Sequence, residues 1–221
     1  MRLFSLLSVI KELSILLLLL LSLTGVAQER NFQIWNLTNL EVKLTPKTSL
    51  GITEKIHYTP EAGHIDLKLG DISVEHRLTD WFKVGGSGRL LWMKKENEWL
   101  QEQRPMIYGN LGTCLGKVDF DLSNRIEYRM FKSLTNHFRH RQMFSVELPP
   151  FNTSWFTVYV AEEGYYRFDS ERLHLARLHT GTRLKYKNSF EVKMYYVFQK
   201  SKRPSSWDTT DVLGFNLNVD L

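Results

Sequence analysis

The chain has 221 residues, of which 43% are hydrophobic and 24% are charged, so composition excludes a disordered chain. The net charge is +5, but 29 basic and 24 acidic residues are interleaved along the sequence. That distribution excludes the one-sided basic surface of a typical nucleic-acid-binding protein. The only cysteine, Cys114, excludes an intrachain disulfide and any metal site built from several cysteines.

Residues 1–27 have the form of an export signal. Lys11 contributes positive charge, the stretch 15–23 is almost entirely apolar, and small residues close the segment at Ala27. This order is typical of a secretory signal peptide cleaved after Ala27, which makes Gln28 the first mature residue. An uncleaved anchor is the alternative, but Lys11 interrupts any longer apolar helix.

The remainder, residues 28–221, predicts a single all-β domain. Strand-like segments are separated by turn-forming residues, and no helical period appears after the signal. The predicted strands are 32–44, 49–58, 64–76, 81–93, 100–113, 117–131, 137–148, 154–168, 172–186, 189–199 and 210–221.

Two neighbouring segments are apolar on one face and charged on the other. In the first, Val118, Phe120, Leu122, Ile126, Tyr128 and Met130 alternate with Asp119, Asp121, Ser123, Arg125, Glu127 and Arg129. In the second, Phe138, Phe144, Val146 and Leu148 alternate with Arg139, Arg141, Ser145 and Glu147. A soluble barrel or sandwich would bury the apolar face, whereas a transmembrane barrel turns it towards lipid.

Strand length and tryptophan placement favour the membrane barrel. Most segments are about 10–15 residues long, against an average of about 5–6 in soluble domains and about 9–11 for a membrane-crossing strand. Trp81, Trp92, Trp99 and Trp155 lie near predicted strand ends. Aromatic side chains there would form the two girdles at the lipid–water interfaces.

The barrel is expected to have ten or twelve strands. Single-chain bacterial outer-membrane barrels have an even number of strands and two periplasmic termini. Counting back from Leu221 places the connections 59–63, 94–99, 132–136, 169–171 and 200–209 on the external side. The first segment, with Trp35, then runs in the wrong direction, so it lies outside the barrel or a further strand lies near it.

Turn lengths also predict strand register. The connection 132–136 would set Arg129 opposite Arg139 and Glu127 opposite Arg141. The turn 186–188 would set Arg183 opposite Glu191. Opposite charges on adjacent strands stabilise pairing, so the two facing arginines require a further acidic neighbour.

The strongest candidate site is a set of charges on the luminal face. These residues are Arg125, Glu127, Arg129, Arg139, Arg141, Arg177, Arg183 and Glu191. They could select an anionic solute or form a stabilising ion lattice. The lattice is favoured, because side chains fill the interior of small barrels.

Enzymatic and metal sites have weaker support. Ser170, Glu171 and His174 lie beside a predicted external turn, but Ser170 and His174 would be too far apart on a strand to form a catalytic hydrogen bond. His137 and His140 would face opposite sides of one strand, so they cannot share a metal ion. The glycines at 85–88 favour close packing or a strand bend over a phosphate loop. No cofactor is expected.

These features together resemble a bacterial family, domain of unknown function 2490. The matching pieces are Trp35, Asn124-Arg125-Ile126-Glu127-Tyr128-Arg129, Arg139-His140-Arg141, Glu162-Glu163, and Ala176-Arg177-Leu178 with Gly181. Ala176 stands where the family pattern has Asn, and the chain ends in Val219-Asp220-Leu221 without a terminal aromatic residue. The resemblance implies a signal peptide followed by a small outer-membrane barrel, and it implies no activity.

The sequence therefore predicts an exported, non-enzymatic β-barrel of a bacterial outer membrane. Membrane lipid and the outer-membrane assembly machinery are its expected partners. Its expected role is envelope structure, a narrow pore or support of a surface complex. A lipid-modifying hydrolase and a soluble periplasmic barrel with an apolar ligand are the alternatives.

Overall fold

The structure, a computed structural model, describes residues 30–95, 98–149, 155–170, 172–187, 189–203 and 206–221. The predicted signal peptide lies outside these residues. Every described element is a strand: β1 (Asn31–Lys43), β2 (Thr48–Thr59), β3 (His64–Arg77), β4 (Phe82–Lys95), β5 (Glu98–Leu115), β6 (Val118–Phe131), β7 (His137–Leu148), β8 (Phe156–Arg167), β9 (Arg172–Tyr186), β10 (Phe190–Lys202) and β11 (Trp207–Asp220). The all-β prediction is confirmed, and each predicted segment corresponds to one strand.

The strands close into one barrel of eleven, so the expected count of ten or twelve is wrong. From β2 to β11 each strand pairs antiparallel with the next along the chain. β1 pairs antiparallel with β2 and parallel with β11, with Trp35 opposite Gly214. An even count is required only when the closing pair is antiparallel. Parallel pairing satisfies the same backbone hydrogen-bonding groups. It also fits the direction of β1, which had argued against placing this strand in the barrel.

The connections gather at two ends of the barrel. We call the end with the connections after β2, β4, β6, β8 and β10 the upper end, and the opposite end the lower end. The five connections predicted to share one side all lie at the upper end. Because β1 and β11 run in the same direction, β1 starts at the upper end and β11 finishes at the lower end.

Alternate residues face the lumen and the outside. On β6, Glu127 is fully buried towards the lumen, and on β7 Arg139 is also buried while Phe138 is 52% exposed on the outer face. The strands form here because the sequence alternates with the two-residue period of a pleated chain. The predicted polarity, charged inside and apolar outside, is confirmed.

Aromatic side chains pack over glycines inside the barrel. The ring of Tyr195 covers Gly214 on β11, where an added Cβ would come within 2.1 Å of the ring. Tyr108 covers Gly85 on β4 in the same way, at 2.4 Å. The prediction that glycine around 85 permits close packing is confirmed, since any larger side chain would displace the tyrosine.

Both predicted registers are wrong by two residues. Arg139 lies opposite Glu127 rather than Arg129, and Lys185 rather than Arg183 lies opposite Glu191. A shift of two preserves which face each side chain occupies, so the apolar pattern does not distinguish the alternatives. The observed β6–β7 register replaces an arginine–arginine pair by an arginine–glutamate pair, which is electrostatically favourable.

No helix in the described part of the chain is long and apolar enough to span a membrane.

Candidate functional site

Three glutamates from three different strands form the centre of the luminal network. Glu102 on β5, Glu127 on β6 and Glu163 on β8 are each at most 1% exposed. Each is placed by strand alternation, which points its side chain inward between other inward-facing polar residues. A carboxylate this deeply buried requires opposite charges and hydrogen bonds to offset its lost hydration.

Glu102 is held by a two-point contact from a neighbouring strand. Arg129 on β6 donates from Nε to Oε1 at 2.8 Å and from Nη2 to Oε2 at 2.7 Å. Arg104, two residues along β5, donates from Nε to Oε1 at 2.7 Å. The paired geometry of Arg129 and Glu102 is the strongest form of guanidinium–carboxylate contact.

Glu127 is surrounded by three arginines. Arg139 donates from Nε to Oε2 at 2.9 Å, and Arg104 Nη1 lies 3.5 Å from the same oxygen. Arg125 Nε lies 3.0 Å from Oε1. Arg104 therefore contacts both Glu127 and Glu102 and links the first two carboxylates into one network.

Glu163 organises the other side of the network. Arg177 Nη1 donates to its Oε2 at 3.1 Å, Arg141 pairs with its Oε1, and His179 Nε2 lies 3.2 Å from Oε2. Tyr165 donates its hydroxyl to Oε1 at 2.8 Å. The ring of Tyr165 also lies under the Arg139 guanidinium at 4.5 Å, which connects this cluster to the one around Glu127.

An aromatic layer adjoins the Glu163 cluster. Trp35 is 2% exposed, and its ring stacks on His57 with centroids 4.2 Å apart. The Arg177 guanidinium lies 4.7 Å from the Trp35 ring centroid, and Lys55 Nζ lies 4.0 Å from it. Two cations at these distances are attracted by the negative faces of the indole.

Other luminal charges form separate pairs. Arg89 donates to Asp71 at 3.0 Å. Arg183 pairs with Glu147 and also lies 3.5 Å from Glu191. The predicted contact between Arg183 and Glu191 is therefore present, although the two residues are diagonal neighbours rather than directly opposite.

The central network contains twice as many arginines as carboxylates. Arg104, Arg125, Arg129, Arg139, Arg141 and Arg177 surround Glu102, Glu127 and Glu163. Sharing one carboxylate between guanidinium groups stabilises the carboxylate but leaves positive charge in excess. The arrangement can therefore attract anions into the barrel.

A cavity of about 650 Å³ lies beside this network. All six arginines of the central network reach its surface, and so do Arg89, Lys55 and Lys193. Five apolar side chains also reach its surface, together with Lys55 on the intervening strand β2; they are Leu37, Leu67, Leu69, Leu91 and Met93 on β1, β3 and β4. The charged side chains therefore fill the lumen only in part.

All eight residues of the predicted lattice face the lumen, and the structure brings them together with residues that the sequence reasoning missed. The missed residues are Lys55, Asp71, Arg89, Glu102, Arg104 and Glu163. A signal for two of them was present, because Glu102 and Arg104 share one parity of a predicted strand. Glu163 was noted only for its place in the family pattern.

The predicted catalytic candidates lie at the upper rim. Ser170 follows β8 and His174 lies near the start of β9, while Glu171 lies outside the described residues. Ser170 Oγ and His174 Nδ1 are buried and have no hydrogen-bond partner in the described part of the chain. In the same turn Arg167 donates to Asp169 from Nε to Oδ1 at 3.0 Å, which lowers the pKa of the Asp169 carboxyl.

The two histidines of β7 face opposite sides of the barrel wall. His137 is buried towards the lumen. His140 lies on the outer face, where its Nε2 is 3.2 Å from Asn124 Oδ1. This separation is what the alternation of a strand dictates.

Comparison with known proteins identifies a family without an assigned activity. The model of a family described as "protein of unknown function (DUF2490)" matches residues 32–210. The resemblance stated from the sequence is thereby confirmed. A comparison with curated proteins gave no match.

Proposed function

We propose that this chain, which belongs to the DUF2490 family of proteins of unknown function, is a non-enzymatic β-barrel of the bacterial outer membrane. The supporting observation is the inverted polarity of the barrel. Glu102, Glu127 and Glu163 are buried inside, whereas Ile72 and Ile107 are 60% and 67% exposed outside. In water the exposed apolar residues would gain no free energy from burial, whereas in a bilayer they contact hydrocarbon.

The aromatic side chains support a membrane location. Trp81 and Trp155 lie at the lower end, and Trp92 and Trp99 at the upper end, with Lys68 Nζ 4.9 Å from the Trp99 ring centroid. At about 3.3 Å per residue and a tilt of about 40°, the stretch from Trp81 to Trp92 spans about 28 Å along the barrel axis. This is close to the apolar band of about 25 Å in outer-membrane barrels.

Polar side chains interrupt the apolar band at a few positions. Glu54 and Glu162 are exposed on the outer face. Asn124 Oδ1 lies 3.2 Å from both His140 Nε2 and Gln142 Nε2, so these three outward side chains satisfy one another in part. Each such group costs free energy in hydrocarbon, and acidic groups cost less than basic ones on the lipid face of a barrel.

The proposed task is structural, and the ionic network in the lumen stabilises the barrel. A narrow pore and support of a surface complex are related alternatives within the same architecture. A lipid-modifying hydrolase is less well supported, because a nucleophile must be activated by a hydrogen-bonded base. Neither Ser170 Oγ nor His174 Nδ1 has such a partner among the described residues.

Membrane fractionation combined with detergent electrophoresis tests the proposal. We expect the mature protein in the outer-membrane fraction, with faster migration in unheated than in boiled detergent samples, because a closed barrel resists unfolding by detergent. Recovery of the folded protein in the soluble periplasm would contradict the proposal and favour the soluble barrel with an apolar ligand. A soluble periplasmic protein from the same cells is the fractionation control.

A further inference from the structure

We propose that the luminal cavity is a binding site for a small amphiphilic oxyanion, an organic molecule with an apolar body and a phosphate, sulfonate or carboxylate group. This inference goes beyond the proposed function, and it does not depend on membrane location because the cavity lies inside the barrel itself. It rests on the charge of the lining, the unpaired Lys55, the apolar side chains on the lining and the volume.

The first step is the charge of the lining. Nine cationic side chains reach the cavity surface, against one carboxylate among the described lining residues, Asp71. The glutamates that pair with the arginines also face the lumen, but they are not among the residues that line this cavity. An anion in the cavity therefore meets mainly positive groups, whose attraction is strengthened by the low dielectric constant of the surroundings.

The second step is the presence of a cation on the lining, Lys55, that has no carboxylate partner among the described residues. Arg125 also lines the cavity, but its buried Nε faces Glu127 Oε1 at 3.0 Å and is therefore already directed at a carboxylate. Lys55 Nζ lies 4.0 Å from the Trp35 ring centroid on the cavity lining, where its described contact is with this ring. A buried ammonium group without an opposite charge is costly, so an anionic group supplied by a ligand would be stabilising.

The third step is the apolar part of the lining near the upper end of the barrel. Leu67 on β3 pairs with Met93 on β4 near the upper end, and Leu69 continues the apolar surface below them. Arg129 and Arg139 occupy the corresponding upper part of β6 and β7. A ligand that fills the cavity therefore contacts apolar side chains of β3 and β4 as well as cationic side chains, among them Lys55, Arg129 and Arg139.

The fourth step is size and geometry. A volume of about 650 Å³ is within the range of about 300–1,000 Å³ typical of small-molecule sites. Guanidinium groups bind planar or tetrahedral oxyanions through two parallel hydrogen bonds, which a halide cannot reproduce. The ligand class is therefore an oxyanion with an organic body rather than chloride.

The test is calorimetric titration of the mature protein in a non-ionic detergent. The probes are phenyl phosphate, inorganic phosphate and benzyl alcohol at matched ionic strength. We expect phenyl phosphate to bind at least tenfold more tightly than inorganic phosphate, and benzyl alcohol not to bind. Absence of phenyl phosphate binding to a protein that is folded by circular dichroism would overturn the proposal, whichever compartment the protein occupies.

Substitutions locate the site. Lys55→Gln and Arg125→Gln should each weaken phenyl phosphate binding by about tenfold or more, since each removes a positive charge from the cavity lining. Lys83→Gln is the matched control, because Lys83 pairs with Glu75 at 3.0 Å outside the cavity lining. Equal affinity in all three variants would overturn the assignment, and Lys55→Gln keeps the test informative if Arg125→Gln fails to fold.

A further titration identifies the source of the ligand. Dihexanoyl phosphatidic acid carries the same phosphate and apolar chemistry on a lipid. Tighter binding of this lipid than of phenyl phosphate would support the proposal with a lipid as the natural source. The reverse order would support it with a water-soluble solute as the source.

Discussion

At the scale of single residues, Glu127 is a buried carboxylate whose charge must be offset by its neighbours. It is fully buried and lies within 3.5 Å of Arg104, Arg125 and Arg139. Its desolvation is unfavourable, and the three guanidinium groups offset it only as long as the carboxylate is charged. Removing that charge would leave three arginines facing one another in a confined space.

Neutralising Glu127 should therefore destabilise the barrel. We expect Glu127→Gln to lower the free energy of unfolding by about 3–5 kcal/mol, the usual cost of breaking a buried ion pair. Urea unfolding in detergent micelles, followed by tryptophan fluorescence, measures the change.

Glu75→Gln is the matched control for this measurement. Glu75 pairs with the half-exposed Lys83, and such pairs contribute about 1 kcal/mol or less. Similar losses in the two variants would show that the network around Glu127 has no special role in stability.

At the scale of single strands, β5 places alternate side chains in the lumen and on the outer face of the barrel. Glu102, Arg104 and Met106 are buried towards the lumen, while Ile107 is exposed on the outer face. The two-residue period of the strand fixes this division, so a substitution on the outer face reports the surrounding medium rather than the internal packing.

An arginine on the outer face of β5 should distinguish lipid from water. In a bilayer we expect Ile107→Arg, near the middle of the strand, to cost about 2–4 kcal/mol, and Leu115→Arg, at the lower end, to cost about 0–1 kcal/mol. Unfolding in phospholipid vesicles measures both values.

The depth dependence is the informative part of the comparison. Both positions are strongly exposed in the structure, Ile107 at 67% and Leu115 at 75%. In water the two substitutions should be nearly neutral and alike, within about 0.5 kcal/mol. Equal costs at the two depths would argue against a lipid-facing exterior.

At the scale of the whole molecule, the parallel closure of β1 on β11 is the unusual feature. It makes the number of strands odd and places the two ends of the barrel domain at opposite ends of the barrel. It also brings Trp35 beside Val212 and Tyr195, so the closing strand contributes to the buried aromatic cluster. Pairing of β1 with β11 therefore closes the barrel and completes this buried cluster in the same step.

Cysteine cross-linking tests this closure. Ile34 lies opposite Leu213 on the outer face. In a Cys114→Ser background, we expect Ile34→Cys with Leu213→Cys to oxidise to a disulfide, because paired strands bring Cα atoms within the required 4.4–6.8 Å. The product should migrate differently from the reduced form in boiled, non-reducing gels.

The pair Leu40→Cys with Leu213→Cys is the off-register control, since Leu40 lies opposite Val219. We expect no cross-link in that variant. A barrel of ten strands without β1, or of twelve strands with another neighbour for β11, would leave Ile34→Cys and Leu213→Cys uncoupled as well.

The sequence by itself determined the strands and the face on which each side chain lies. Residues such as Arg125 and Ile126 are assigned to opposite faces by a two-residue period that depends only on the local backbone. The same reasoning extends to Glu102 and Arg104, so the luminal position of the whole charged set was open to prediction.

The tertiary structure alone decided register, closure and ion-pair partners. A shift of two residues leaves every face unchanged, so local pattern cannot separate the observed pair Glu127–Arg139 from the expected pair Arg129–Arg139. The contact between Arg129 and Glu102 joins residues 27 positions apart, and the side chains that line the cavity come from strands that are far apart in the sequence. Such arrangements follow from the simultaneous closure of all eleven strands, because each partner is fixed only when the strands between them are paired.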